Sequence, residues 1–245
     1  MFRCFGLIFL TLVLCSKFYG QIPFNTDSTI SFRLGAYFPS HFQLQFNYQL
    51  NQKSAFFVQG GKISSAMSNQ YFNYMTTHGL DDDLRTLIEP SYKLGSLIGL
   101  GFERSFSAFY VSFSLQFRDY TYSYLESEDL FNYFGTNIQN PSSNSNLGPF
   151  YLGYKPMVLA MQLNLGKTLL NIKNRFFLNA EISWNEIFWH KHFFSSNYQD
   201  YINQQSVKTT LDVYDAVFRK EIKNEMCLPY LGLHLTYRLK SCDCN

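Results

Sequence analysis

After residue 20 no stretch stays apolar for the ~20 residues that a spanning helix needs, so a helical membrane protein is excluded. Charge is also scarce. Charged residues make up 16% of the chain, below the ~25% usual for a soluble domain, so little is available to hold a soluble surface apart. Nor is there an excess of one sign. The chain has 20 basic and 18 acidic residues, and two of the basic ones, Arg3 and Lys17, fall in the first twenty, which leaves an even balance. Binding to nucleic acid needs a clustered surplus of Lys and Arg, and none is present. Cysteine is sparse and badly placed for pairing. Cys4 and Cys15 lie in the N-terminal apolar run, leaving Cys227, Cys242 and Cys244. Cys227 and Cys242 stand at opposite ends of an extended segment, ~15 residues at ~3.3 Å each, too far for a disulfide. The C-x-C pair reads as free thiols on a tail in preference to a metal or redox handle.

What is abundant is aromatic: 26 Phe and 18 Tyr against only 2 Trp. The N-terminus is also informative. Arg3, an apolar run from Cys4 to Cys15 and a polar stretch to Gly20 match an export signal, with cleavage expected before Gln21. Leu14 before Cys15 argues against lipidation at that cysteine. The expected domains are therefore a signal peptide over 1–20 and one domain over 21–245.

Period two dominates the remainder. From Phe42 to Leu50 the alternation is complete, with Phe42, Leu44, Phe46, Tyr48 and Leu50 opposing Gln43, Gln45, Asn47 and Gln49. A helix would mix the two sets around its circumference, whereas a strand separates them. The pattern recurs from Ile30 to Phe38, Leu94 to Glu103, Phe109 to Arg118, Met157 to Gly166, Arg175 to Trp184 and Leu231 to Leu239, and it is blurred from Ala55 to Ile63. That predicts eight strands. Their connections alternate in length: short at Asn51 to Lys53, Arg104 to Ser107 and Leu170 to Asn174, and long from about Ser64 to Ser91, Glu126 to Pro149 and Lys191 to Met226, the exception being the first hairpin, closed tightly around Pro39 and Ser40. A sandwich gives no reason for this alternation, but a membrane barrel has short turns on one side and long loops on the other.

The faces decide which side is inside. The polar faces carry Gln, Asn, Ser and Gly with few charges, and the apolar faces are broad, with aromatics such as Phe38, Phe42, Phe117, Trp184 and Tyr237 near strand ends. This suits lipid outside and a polar interior. The expected fold is an all-β, eight-stranded antiparallel up-and-down transmembrane barrel with a filled polar interior and long outer loops.

On these strands, this loop asymmetry and the closing run Leu235-Thr236-Tyr237-Arg238-Leu239, the chain resembles the small outer-membrane β-barrels of the OmpA and OmpX type, and more particularly those of Bacteroidota, whose signals often end before a Gln. It departs from them in the tail Lys240 to Asn245. The resemblance implies residence in the outer membrane and contact with its lipid and lipopolysaccharide. It further implies recognition of the last strand by the barrel-assembly machinery; an envelope protein partner is instead an expectation from the long outer loops.

An eight-stranded barrel is just wide enough for its own side chains, so a polar lumen means a packed plug. The charges expected inside are Arg33, Lys93, Glu103, Arg118, Arg175, Glu181 and Arg238, with His234. Arg33, Glu181, His234 and Arg238 fall on consecutive strands once the barrel closes and are expected to form one ion-pair network, for which a structural role is preferred to a proton relay. His190 and His192 flank Lys191 and would share a face, but no third ligand or nucleophile motif accompanies them, so they are read as solvated. Asp81, Asp82 and Asp83 read as an acidic helix start. Thr209 and Asp212 match a capping box before a stripe of Leu211, Tyr214, Val217, Phe218 and Ile222, a helix that must dock on something. Loop aromatics, among them Phe131, Tyr133, Phe134, Phe193, Phe194, Tyr198 and Tyr201, suit either a binding surface or loop packing. The expected function is a non-catalytic envelope barrel that is structural or binds through its outer loops, with no cofactor and no metal. The alternatives are a lipid-modifying enzyme or an accessory barrel of a secretion or uptake complex.

Overall fold

The computed structural model describes residues 29–106, 109–125, 130, 133–134, 152–225 and 229–239. The signal segment, Cys227, Cys242, Cys244, Phe131, nearly all of the span from Glu126 to Pro149 and the tail after Leu239 lie outside them. In chain order the elements are β1 (Ile30–Phe38), β2 (His41–Asn51), β3 (Ser54–Ile63), α1 (Ser65–Thr77), α2 (Asp82–Tyr92), β4 (Gly95–Ser105), β5 (Tyr110–Tyr120), β6 (Ser123–Leu125), β7 (Leu152–Ile172), β8 (Phe176–Ser196), α3 (Gln199–Ile202), α4 (Gln205–Glu225) and β9 (Tyr230–Arg238).

Eight of the strands close into an antiparallel ring. Neighbours in sequence pair from β1 to β5, β5 pairs with β7, β7 with β8 and β8 with β9, and β9 returns to β1 with Leu34 opposite Leu235. The short β6 extends the line of β5 and pairs with β7 alone. Closure gives each strand of the ring a neighbour on both sides, while the extensions of β7 beyond Gly166 and of β8 beyond Ser183 lack a second neighbour in the ring.

The alternation read from the sequence becomes an inversion of the usual inside and outside. Gln43 is 2% exposed and Gln116 is fully buried, whereas Leu34, Ile98 and Leu100 are 61%, 61% and 64% exposed. The lumen is packed with amides and hydroxyls. Gln43 donates to Gln45 and Gln59, Gln59 to Ser114, Asn164 to Ser112 and Asn179 to Thr236, and Gln116 bonds to Gln162. Such groups cost free energy when buried alone, and here most of them bond to one another, though Gln162 Nε2, Asn164 Oδ1, Ser183 Oγ and Asn185 Nδ2 are buried without a hydrogen-bond partner.

The turns after β2 and β7 lie at one end, whereas the tight β1–β2 turn at Pro39 and Ser40, closed by the Ser40 N–H on the Tyr37 carbonyl at 2.6 Å, lies at the other. In the turn after β7, Lys173 and Asn174 both have positive φ and the Arg175 N–H donates to the Ile172 carbonyl at 3.1 Å. This backbone twist matches the flanking strands. The other end carries the helices. Asp81 caps α2, accepting from the N–H groups of Asp83 and Leu84 at 3.0 Å each, and Asp82 and Asp83 occupy the first turn beside the positive helix end. Phe72, Met75, Leu84, Ile88, Tyr214 and Phe218 bury themselves over the barrel mouth. The one substantial apolar core among the described residues is therefore at the mouth, between helices and strands, rather than inside the barrel.

Two boundaries differ from the sequence reading. Strand β8 continues to Ser196, well into the segment expected as loop, because it pairs along its whole length with an equally long β7. Helix α4 begins at Gln205, so Thr209 is no cap: its hydroxyl donates back to the Gln205 carbonyl at 2.9 Å, and Thr210 does the same to Ser206. Hydroxyls that bond four residues back belong to a helix interior.

Candidate functional site

Two polar clusters stand out, one inside the barrel and one at its mouth. The lower one centres on Glu181 of β8. Its Oε1 accepts from Tyr110 Oη at 2.7 Å and Arg33 Nη1 at 3.2 Å; its Oε2 accepts from Tyr37 Oη at 2.6 Å and lies 3.2 Å from His234 Nε2. Arg33 also stands 2.8 Å from Glu103 Oε2 as an ion pair and donates from Nε to Thr236 at 3.2 Å. Glycine opposite each ring makes the space. A Cβ on Gly166 would come within 2.2 Å of the Tyr110 ring, and one on Gly35 within 2.1 Å of His234.

Arg33, Glu181 and His234 thus meet, whereas Arg238 does not join them. It lies at the lower end of β9, exposed, with its guanidinium 4.8 Å above the Phe177 ring. The reason is register. Arg238 is opposite Ser31 while Arg33 is opposite Thr236, so Arg238 is the last rung before the barrel opens to water. Lys93 and Arg175 are likewise outside the lumen: Lys93 follows α2 and approaches Glu89 at 3.9 Å, and Arg175 sits in the turn. Arg118 does point inward, donating to Gln116 at 2.8 Å and Asn185 at 3.1 Å. Tyr37 and Tyr110 complete the carboxylate's shell, and the sequence reading does not single them out. Their only signal is a tyrosine on a polar face opposite a glycine.

The upper cluster corrects the reading of the histidine pair as solvated. His190 and His192 are buried. Below them β8 points its odd residues inward, but Leu159 faces Trp189 while Ala160 faces Ile187, so Phe188 is an extra residue. This bulge puts Phe188 and Trp189 together on the outer wall and turns the even residues beyond them inward. The Tyr92 hydroxyl then lies 2.6 Å from His190 Nε2 and 3.1 Å from His192 Nε2. His192 Nδ1 is 2.9 Å from Asp215 Oδ1 on α4, which also accepts from the His192 backbone N–H at 3.0 Å, and Asp215 Oδ2 pairs with Arg219 Nε at 3.1 Å.

A single imidazole therefore ties helix α2 and helix α4 to strand β8. Burial by itself would raise the Asp215 carboxyl, but the hydrogen bonds from the His192 ring and backbone and the charge of Arg219 outweigh it and hold the group below the usual aspartate range. The Tyr92 hydroxyl is pushed well up, first by burial and then by Tyr154, Tyr120 and Asp215 nearby. Tyr92 stays a neutral hydroxyl. Phe218 packs on the His192 ring at 5.3 Å between centroids, and Tyr154 lies over the same ring at 5.5 Å. Among the described residues no group of three or more His, Cys, Asp and Glu side chains could hold a metal ion.

No protein-family model matches the chain, and no curated protein matches it in sequence. Solved structures do align with it. CarO2 of Acinetobacter baumannii aligns at 10% identity and TM-score 0.37, over 86% of this chain and 98% of that one. A major outer membrane protein of Thermus thermophilus aligns at 12% and 0.42, over 86% and 99%. CarO of Acinetobacter baumannii aligns at 12% and 0.38, over 85% and 96%. With identity and scores this low, function must be argued from the chain's own surfaces.

Proposed function

We propose that this chain is an integral outer-membrane barrel with no open channel and no catalytic activity, which serves as a structural or binding protein of the cell envelope through its helical outer face. The observation that carries the reading is the inverted wall: polar side chains fill the lumen while Leu34, Ile98, Leu100 and Leu233 stand exposed around the outside. Monomeric soluble proteins rarely leave an apolar belt of that extent in water. A closed ring of strands is one of the two backbone arrangements that satisfy every amide in hydrocarbon, and the export signal expected over 1–20 would carry such a chain out of the cytoplasm, where the outer membrane is the bilayer that takes barrels. The packed lumen argues against conduction. At the mouth, the Tyr92 hydroxyl lies against both His190 and His192, and Phe218 and Tyr154 pack on the His192 ring, so the buried His192–Asp215 pair is enclosed by aromatic side chains, which argues against catalysis there. Outer-membrane lipid, lipopolysaccharide and an envelope protein are the partners this surface suits, and the closing strand Tyr230–Arg238 is the segment for the assembly machinery to read.

Fractionation and gel mobility test the reading together. The protein should be recovered with the outer membrane, migrate differently with and without boiling, and give no conductance steps in planar bilayers. Trypsin added to intact cells should cut at Lys220 or Lys208 on the outer face and spare Lys53 and Lys173 in the tight turns. A soluble monomer without detergent, a stable open conductance or cutting at the turns alone would overturn it.

A further inference from the structure

On the outer wall, just below the helical end, a cleft of about 490 Å³ is lined by Lys62, Leu94, Ser96, Asp119, Tyr122 and Lys155, among others. Its polarity breaks the pattern of the wall. Lower on the same strands, Val58, Leu100, Leu115 and Met161 are cross-strand neighbours, and above them come Gly60, Ile98, Phe117 and Leu159, rows without a charge. The next outward row is Lys62 opposite Ser96 and Ser96 opposite Asp119. Lys155 Nζ approaches Asp119 Oδ1 at 2.7 Å and lies 5.7 Å from the centre of the Tyr122 ring. Lys62 has no carboxylate within ion-pair distance among the described residues, and it is exposed. Two ammonium groups therefore face one carboxylate, with a net positive charge remaining at the top of an apolar wall.

Gly60, directly below Lys62, adds an independent feature. It lies between Leu44 and Ile98 on the wall, and a Cβ placed on it would meet nothing closer than a backbone oxygen at 3.9 Å. The missing side chain therefore serves no tight approach and leaves a dent between two exposed leucine-sized residues. A cationic cleft above an apolar dent matches a molecule with a phosphate head and a hydrocarbon chain.

We infer that this cleft binds the phosphate group of an outer-leaflet lipid, held by Lys62 and Lys155 beside Ser96, with an acyl chain running down over Gly60. The inference rests on the reading of the wall as lipid-facing. Residues at this level are where a membrane barrel meets headgroups, and exposed Tyr122, Tyr124 and Phe42 mark the same boundary.

The test uses the full chain in detergent, with three probes: a bis-phosphorylated lipid A, the same lipid with its phosphates removed, and inorganic phosphate. The phosphorylated lipid should bind most tightly. Lys62→Gln should weaken it about fivefold and Lys62→Gln with Lys155→Gln about 25-fold, as expected for cations acting on a lipid phosphate near the membrane surface. Lys62→Arg should largely preserve binding. Gly60→Ile should weaken the lipid and leave inorganic phosphate unaffected. Equal binding of the dephosphorylated lipid, an unchanged double variant, or inorganic phosphate as tight as the lipid would each overturn the site. Each variant is first checked for the mobility shift on boiling, which reports a folded barrel. A folded, detergent-dependent barrel without phosphate-dependent binding removes this inference alone, whereas recovery without detergent removes the membrane reading beneath it.

Discussion

Glu181→Ala should lower the unfolding free energy of the barrel in detergent by about 3 to 5 kcal/mol, the usual cost of removing one partner from a buried charge group. The side chain accepts from two tyrosine hydroxyls and Arg33 and touches His234, so its loss takes that acceptor from four buried groups. Arg33→Ala should cost a similar amount, since it strands Glu181 and Glu103 together. The double variant should fall short of the sum by about 0.5 to 3 kcal/mol, because the two residues share one network. Arg238→Ala should change stability by less than about 1 kcal/mol and add simply to either, as it contributes only an exposed contact with the Phe177 ring. Leu100→Ala, on the outer wall, should also be mild. Denaturant titrations of these single and double variants in one detergent would settle the matter, and a neutral Glu181→Ala or fully additive Glu181 and Arg33 changes would reject the network as a unit.

How much of this is legible in the sequence depends on the range of the cause. The strict alternation of Phe42 to Leu50 needs only neighbouring residues to be read, and it places Gln43, Gln45 and Asn47 inside, where they are. The pairing of Arg33 with Glu181 follows from counting strands around a closed ring. Register is harder. Arg238 keeps the same parity as His234, but whether a rung lies in the lumen or past its end depends on how far β1 and β9 overlap, which no local pattern carries. The histidines at the mouth escape the sequence for a related reason. One inserted residue, Phe188, reverses the phase of everything after it, and its trace in the sequence is only two adjacent aromatics, Phe188 and Trp189, on the wall. Asp215 lies 23 residues from His192 on a helix whose stripe announces that it will dock without saying where.

That helix leads to the second large effect. Asp215→Asn keeps the shape of the side chain and removes its charge, and it should loosen α4 from the mouth while leaving the barrel folded. Charge-assisted hydrogen bonds contribute about 1.5 to 3 kcal/mol, so a loss near ~2 kcal/mol should reduce the hydrogen-exchange protection of α4 about thirtyfold. Protection of β1 to β5 should not change. The sign of the pH dependence follows from the lowered carboxyl: a group held below its ordinary range in the docked state contributes fully above the ordinary aspartate pKa, and the contribution is lost as pH falls through the lowered value. Acidification should therefore release α4 in the wild type only below the ordinary aspartate range, and Asp215→Asn should remove that acid step. Tyr92→Phe provides the link to α2. It takes the hydroxyl away from His190 and His192 together, and because both helices hold the same imidazole, its effect on α4 should combine with that of Asp215→Asn less than additively. If α4 exchanges at the wild-type rate in Asp215→Asn, its docking rests on its buried apolar face, Val207, Leu211, Tyr214, Phe218 and Ile222, and the His192 contact is a bystander.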